Sequence, residues 1–303
     1  MRASASRSVG LHVGIALAAV GLAAISGCGN QKAAVDGDTA VLTERARQVA
    51  TAWDGSTAAA AWRAGYHPMG EAVQLPRSGL RGQADKQAYE DQNFVLRGEL
   101  PGTSPKDGQV TWPGGDSLTR PLVSADQSYT TLAGTHVGGE PHLTVTGVVL
   151  GEMTMTTSRG PATVPAWLFT LDGYDTPLKQ AATVPSELFP SPIKAARDIP
   201  GHPLNRLVGI TDDGRSVTVV ALHGVCDDGV EMDVLETRGS VVLSTTVKGH
   251  EGGAATCTKQ ARMQQVTVKL ERPVGDRVLL DARTGQPVPY KGSHGISPSP
   301  RGS

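Results

Sequence analysis

The chain has 303 residues, a formal net charge of −1, 37 glycines and 20 prolines, and only 4% aromatic residues. A near-neutral chain without a basic cluster excludes electrostatic binding of nucleic acid. Scarce aromatics argue against a stacking platform for bases or sugars, and abundant glycine and proline favour short strands and turns over helix bundles.

The N-terminus opens with Arg2 and Arg7, then an apolar run from Leu11 to Leu22 that holds no acid, then the small residues Ser26 and Gly27 before Cys28. A basic start, a short apolar segment and small residues before a cut site describe a secretory signal. The run falls short of the roughly 20 apolar residues of a spanning helix, and His12 and two glycines interrupt it. The ending Ile25-Ser26-Gly27-Cys28 resembles the lipobox of bacterial lipoproteins. That resemblance implies a signal peptide over residues 1–27, cleavage before Cys28 and a diacylglycerol on its sulfur. Two acyl chains hold a protein to a bilayer stably where one does not. The implied address is the extracytoplasmic face of the cell membrane. A plain cleaved signal is the second reading and an uncleaved anchor the third.

Loss of residues 1–27 shifts the formal charge from −1 to −3, because Arg2 and Arg7 leave with them. With Cys28 assigned to lipid, Cys226 and Cys257 remain, and an even pair in an exported chain reads as a disulfide. Closing a loop of about thirty residues is worth roughly 3–4 kcal/mol in the chain-entropy model.

Residues 28–38 are small and polar and read as a flexible tether. Asp38 or Thr39 then caps a helix whose stripe is Leu42, Ala46, Val49, Ala50 and Trp53. After Asp54-Gly55, Ser56 or Thr57 starts a short alanine-rich helix through Arg63 that Gly65 ends. The pattern then becomes turn-rich, with short strands at Phe94–Leu96 and Gln109–Trp112 and a helix capped at Ser124 and running to Leu132. Leu143–Leu150, Glu152–Thr156 and Thr163–Leu171 are β-branched runs about a glycine-containing turn, which reads as a hairpin.

Five prolines punctuate the next stretch, so a linker is placed at residues 183–203, separating an α+β domain at 39–182 from a β domain at 204–290. A long ordered connection packed across one fold is the alternative. Strands are predicted at 206–211, 216–222, 230–236, 241–247, 265–270 and 277–281, joined by turns such as Asp212-Asp213-Gly214 and Asp227-Asp228-Gly229. Residues 291–303 read as a disordered tail. The fold class is therefore mostly β or α+β: short N-terminal helices on a β-rich body, with a C-terminal antiparallel sandwich or partly closed barrel. Val164–Phe169 and Pro273–Arg277 resemble phrases of an uncharacterised class of exported lipoproteins from high-GC Gram-positive bacteria. That resemblance implies no activity.

Several constellations invite chemistry. His223, Cys226, His250 and Cys257 are zinc-type ligands, but exported thiols oxidise, and the disulfide is the preferred reading. Adjacent acids at Asp212-Asp213 and Asp227-Asp228 suit turns better than a calcium loop, which spaces its oxygens. Ser191-Pro192-Ile193-Lys194 matches the S-x-x-K string of penicillin-binding proteins without the rest of their constellation. Trp53, Trp62, Tyr66 and His67, with Trp167, either line a binding cleft or anchor the core, the latter preferred in so aromatic-poor a chain.

No catalytic centre, cofactor site or metal site is recognised. The expected function is a lipid-anchored binding or interaction module at the cell envelope. Its partners are the membrane through Cys28 and another envelope protein or a cell-wall component, with no nucleic acid. The rival is a cell-envelope hydrolase or transferase whose site is assembled from distant residues. A solute-binding protein would need alternating strands and helices, and that alternation is absent.

Overall fold

A computed structural model describes residues 30–103, 105–134, 139–250, 257–258 and 260–290. Cys28, the signal segment and the C-terminal tail lie outside the described residues.

Helix α1, Asn30–Trp53, carries the predicted stripe: Leu42, Ala46, Val49, Ala50 and Trp53 are all at most 3% exposed. It starts well before the expected cap and takes in residues 30–38, which were assigned to the tether. Gln31, Lys32, Ala33 and Ala34 are good helix formers, and no proline separates them from the stripe. Helix α2, Thr57–Ala64, is capped as expected: Ser56 Oγ accepts from Ala59 N–H, and Gly65 N–H donates to Trp62 O.

The middle of the chain builds one seven-stranded sheet with two further helices. In chain order these are β1 (Val73–Gln74), α3 (Gly82–Glu90), β2 (Phe94–Leu96), β3 (Asp107–Thr111), β4 (Ser117–Pro121), α4 (Ala125–Ala133), β5 (Leu143–Thr157), β6 (Gly160–Leu171) and β7 (Leu178–Ala181). The long β5–β6 hairpin is its spine. β7 and β3 pair along the other edge of β6, and β2 runs parallel to β5. The sheet curls, so that Met69 N–H, just ahead of β1, reaches Thr156 O at the end of β5.

Six strands follow: β8 (Arg206–Ile210), β9 (Ser216–Gly224), β10 (Gly229–Glu236), β11 (Ser240–Lys248), β12 (Ala261–Lys269) and β13 (Val278–Asp281). They form two three-stranded sheets, β12-β9-β8 and β10-β11-β13, which share one core. The antiparallel expectation needs one correction, because β11 and β13 pair in parallel. The chain crosses to the other sheet as β12 between them, and such a crossover returns the next strand in the same direction.

The fold is thus β-rich α+β. The partition of its cores differs from the division placed at 183–203. One core unites α1, α2 and Met69 with the strands after Leu204, while two others are built from residues 66–182. A helix's stripe says that it covers something; it does not say which sheet. No helix or strand is formed between Ala181 and Arg206. That stretch is nevertheless held at intervals: Ser186 N–H donates to Tyr66 O, Ala196 N–H to Arg283 O, and the Arg283 guanidinium to the carbonyls of Arg197, Ile199 and Gly201.

Cys226 and Cys257 form the expected disulfide, 31 residues apart. With the two sulfurs bonded to each other, the zinc set dissolves. His223 Nδ1 sits against Gly224 O and His250 Nδ1 against Asp228 Oδ1. Among the described residues no group of three or more His, Cys, Asp or Glu is placed to hold a metal ion, and no helix is long and apolar enough to cross a membrane.

Candidate functional site

The chain leaving α2 creates the site. Gly65 is followed by Tyr66, whose side chain is fully buried with its hydroxyl donating to Met155 Sδ, and then by His67, whose ring stacks on Trp62 at 4.1 Å and 6°. A Cβ on residue 65 would stand 2.5 Å from His67 Nε2, so the stack requires glycine there. Residues 67–69 are then stitched to the end of β5: Ser158 N–H donates to His67 O at 2.9 Å, and Met69 N–H to Thr156 O. Trp62 and Met69, both buried, contribute to the lining of two clefts.

The larger cleft has a volume of about 390 Å³. Trp62 and Met69 form one wall, and the β5–β6 turn with Thr156, Thr157, Ser158 and Pro161 forms another. The β8–β9 turn supplies Ile210, Asp212 and Asp213, and the 273–277 loop supplies Pro273, Val274 and Arg277. Each wall is locally determined. Thr157 Oγ1 donates to Gly160 O and accepts from Trp112 Nε1 and Arg159 N–H, which fixes the first turn. In the second, Gly214 has φ +69°, and Asp213 Oδ1 accepts from Thr211 Oγ1 at 2.6 Å and Arg215 N–H at 3.0 Å. Those hydrogen bonds, that of Thr211 foremost, hold the exposed Asp213 carboxyl below its ordinary pKa. Val274 N–H donates to Gly214 O, joining the last two walls.

The smaller cleft, about 250 Å³, is walled by Pro68, Pro185, Pro287, Pro289 and Leu188, with His67, Asp281 and Tyr290 behind them. Leu188 and the neighbouring Phe189 are each 56% exposed. Burial and then Glu71 raise the Tyr290 hydroxyl's pKa. Burial also raises that of Asp281, against hydrogen bonds from the N–H groups of Leu204 and Thr284.

His67 is pushed down to about 4, chiefly by burial and then by Arg120. Between that value and the ordinary 6.5, an unfolded chain binds a proton that the folded chain refuses, so stability falls as pH drops through this window. The two values imply a loss of up to about 3 kcal/mol by pH 4. His67→Phe keeps a ring on Trp62 and removes the proton. Urea unfolding at pH 7 and 4.5 should show a flatter profile in the variant; an identical pH dependence in both chains would contradict the neutral, stacked histidine. Comparing the two chains cancels Asp281, whose raised pKa acts in the opposite sense.

The aromatic residues singled out in the sequence are all buried, with Trp53 Nε1 donating to Gly285 O and Trp167 Nε1 to Val123 O. Trp62 is both a core residue and, with His67, part of a cleft wall. Ser191 and Lys194 are not on a helix; Ser191 Oγ donates to Gly285 O and accepts from Ile193 N–H, and Lys194 O accepts from Arg45. The Cys226–Cys257 bridge is absent from both linings. Sequence reasoning missed Met69, Ser158, Ile210, Pro273 and Val274. The local signals that did point to the clefts were Trp62, His67 and the Asp212-Asp213 turn; the pair Leu188-Phe189, two large apolar residues inside a proline-punctuated stretch, was a further one.

Searches of family models, of curated proteins and of solved structures find no match to this chain.

Proposed function

We propose that this is an exported protein, held at the outer face of the cell membrane by diacylglycerol on Cys28, whose body is a binding module with its ligand site in the larger cleft. The observation that carries the binding reading is the cleft itself. At about 390 Å³, with walls supplied by both bodies of the fold, it falls in the size range of small-molecule sites and has their character. Its lining is apolar over Trp62, Met69, Pro161, Ile210, Pro273 and Val274, and polar over its threonines, Ser158, Asp212, Asp213 and Arg277. The exposed Leu188-Phe189 ledge beside the smaller cleft suits contact with an envelope partner.

A neutral apolar fluorophore, N-phenyl-1-naphthylamine, tests the cleft on the purified full chain. Saturable fluorescence enhancement is expected, and Ile210→Arg, which places a charged side chain in the cleft, should abolish it while leaving the melting transition cooperative. No saturable binding, or binding unchanged in a folded Ile210→Arg chain, would remove the cleft from the account.

A further inference from the structure

Resting on the reading of the larger cleft as a ligand site, we propose that the chain's own segment 291–303 is its resident occupant. The segment continues from Tyr290 as an added strand on the free edge of β8 and covers the cleft until a ligand displaces it. Three observations lead there. First, β8 pairs with β9 along one edge, and the only strand pairing on its other edge, among the described residues, is a parallel bridge between Leu207 and Tyr290. Leu207 N–H donates to Pro289 O at 2.7 Å, so residues 289–290 already lie on that edge in register. An unpaired strand edge is a ready template for such an addition.

Second, the direction is fixed. A parallel partner runs as β8 runs, from Arg206 towards Ile210, and Ile210 and the turn after it wall the larger cleft. Chain that continues past Tyr290 in this register draws level with Ile210 after about three residues, or about 10 Å. The space beside Gly209 is open on its Cβ side, where an added Cβ would meet no atom within 4 Å. Third, the segment's sequence suits the place. Thirteen residues follow Tyr290, and Ile296 is the one large aliphatic residue among them. Ile296 is about three residues beyond the level of Ile210, a reach of at most about 10 Å, which brings it over the apolar wall of Trp62, Met69 and Val274. Pro298 and Pro300 have no N–H for a ladder, so pairing ends before them.

The experiment compares N-phenyl-1-naphthylamine binding by the full chain and by a chain ended at Tyr290, which keeps β13 and the Leu207 bridge. An uncovered state of about 10% in the full chain weakens its apparent affinity about tenfold. The shortened chain should therefore bind about tenfold more tightly, and Ile296→Asp in the full chain should recover most of that gain. A synthetic peptide of residues 291–303 should compete with the fluorophore on the shortened chain. Amide hydrogen exchange supplies a readout that needs no ligand: residues 208–211 should exchange more slowly in the full chain than in the shortened one. Equal affinity in the two chains, or tighter binding by the full chain, overturns the proposal while the ligand site stands; unchanged exchange does the same. If the fluorophore binds neither chain, the ligand reading fails and the exchange comparison alone decides whether the segment lies on β8. Protection that grows with protein concentration assigns the edge to a second copy and overturns the intramolecular occupant.

Discussion

Replacing Arg277 with alanine is expected to lower stability by about 3–5 kcal/mol, the range for breaking a buried ion pair from one side. The Arg277 and Glu236 side chains are 5% and 12% exposed and lie 2.8 Å apart. The guanidinium also gathers the carbonyls of Arg272, Pro273 and Val274, so it frames the loop that walls the larger cleft. Its loss would leave a carboxylate and several carbonyls short of donors. Burial raises the Glu236 pKa, but hydrogen bonds from Arg277 and from the N–H groups of Glu271 and Arg272 outweigh it and set the carboxyl below its ordinary 4.5. The stability contributed by this group is therefore present above pH 4.5 and lost as pH falls through the lower folded value. Urea unfolding at neutral pH measures the main effect. A cost below about 1 kcal/mol, the level of an exposed ion pair, would contradict the buried frame.

Trp53→Ala should be comparably damaging, at about 3–5 kcal/mol for a buried tryptophan. Trp53 is 2% exposed, belongs to the core of the C-terminal strands, and Nε1 donates to Gly285 O at 2.7 Å across the sequence. Trp53→Phe retains most of the ring and should cost markedly less. The same packing predicts the behaviour of a 204–290 fragment. Without Ala46, Val49, Trp53 and Trp62, the core that holds Val241, Leu243 and Leu279 loses its helical part. Such a fragment should lack a cooperative melt. A fragment that melts as sharply and as late as the whole chain would show that the helices are decoration on an independent β domain.

Local signals in the sequence were read well, and long-range ones were not. The caps at Ser56 and Ser124, the stripe of α1 and the β-branched runs of β5, β6 and β9 each depend on a few neighbouring residues. Helix α3 was missed because Gly82–Glu90 carries no apolar stripe and buries only Ala88. The short β4 and β7 were missed because four or five residues hold too little periodicity. The parallel pairing of β11 with β13 depends on where the chain travels between them, which no run of residues records. Assignment of α1 to the C-terminal core is of the same kind. The disulfide was legible through chemistry, since two cysteines left over in a chain whose N-terminus reads as an export signal are expected to pair. The larger cleft was not legible, because its walls come from α2, residue 69, two turns and one loop, each giving a few residues. Trp62 and His67 were visible as candidates, but only the fold shows that they also line clefts while buried.

The proposal that a ligand-binding body is displayed on the outside of the cell depends on Cys28, and its most direct test is the mass of the N-terminal peptide of protein taken from native membranes. The account predicts a peptide that begins at Cys28 and carries diacylglycerol on the sulfur, with the Cys28→Ala chain released to the medium. A peptide with residues 1–27 still attached and an unmodified Cys28 would contradict it.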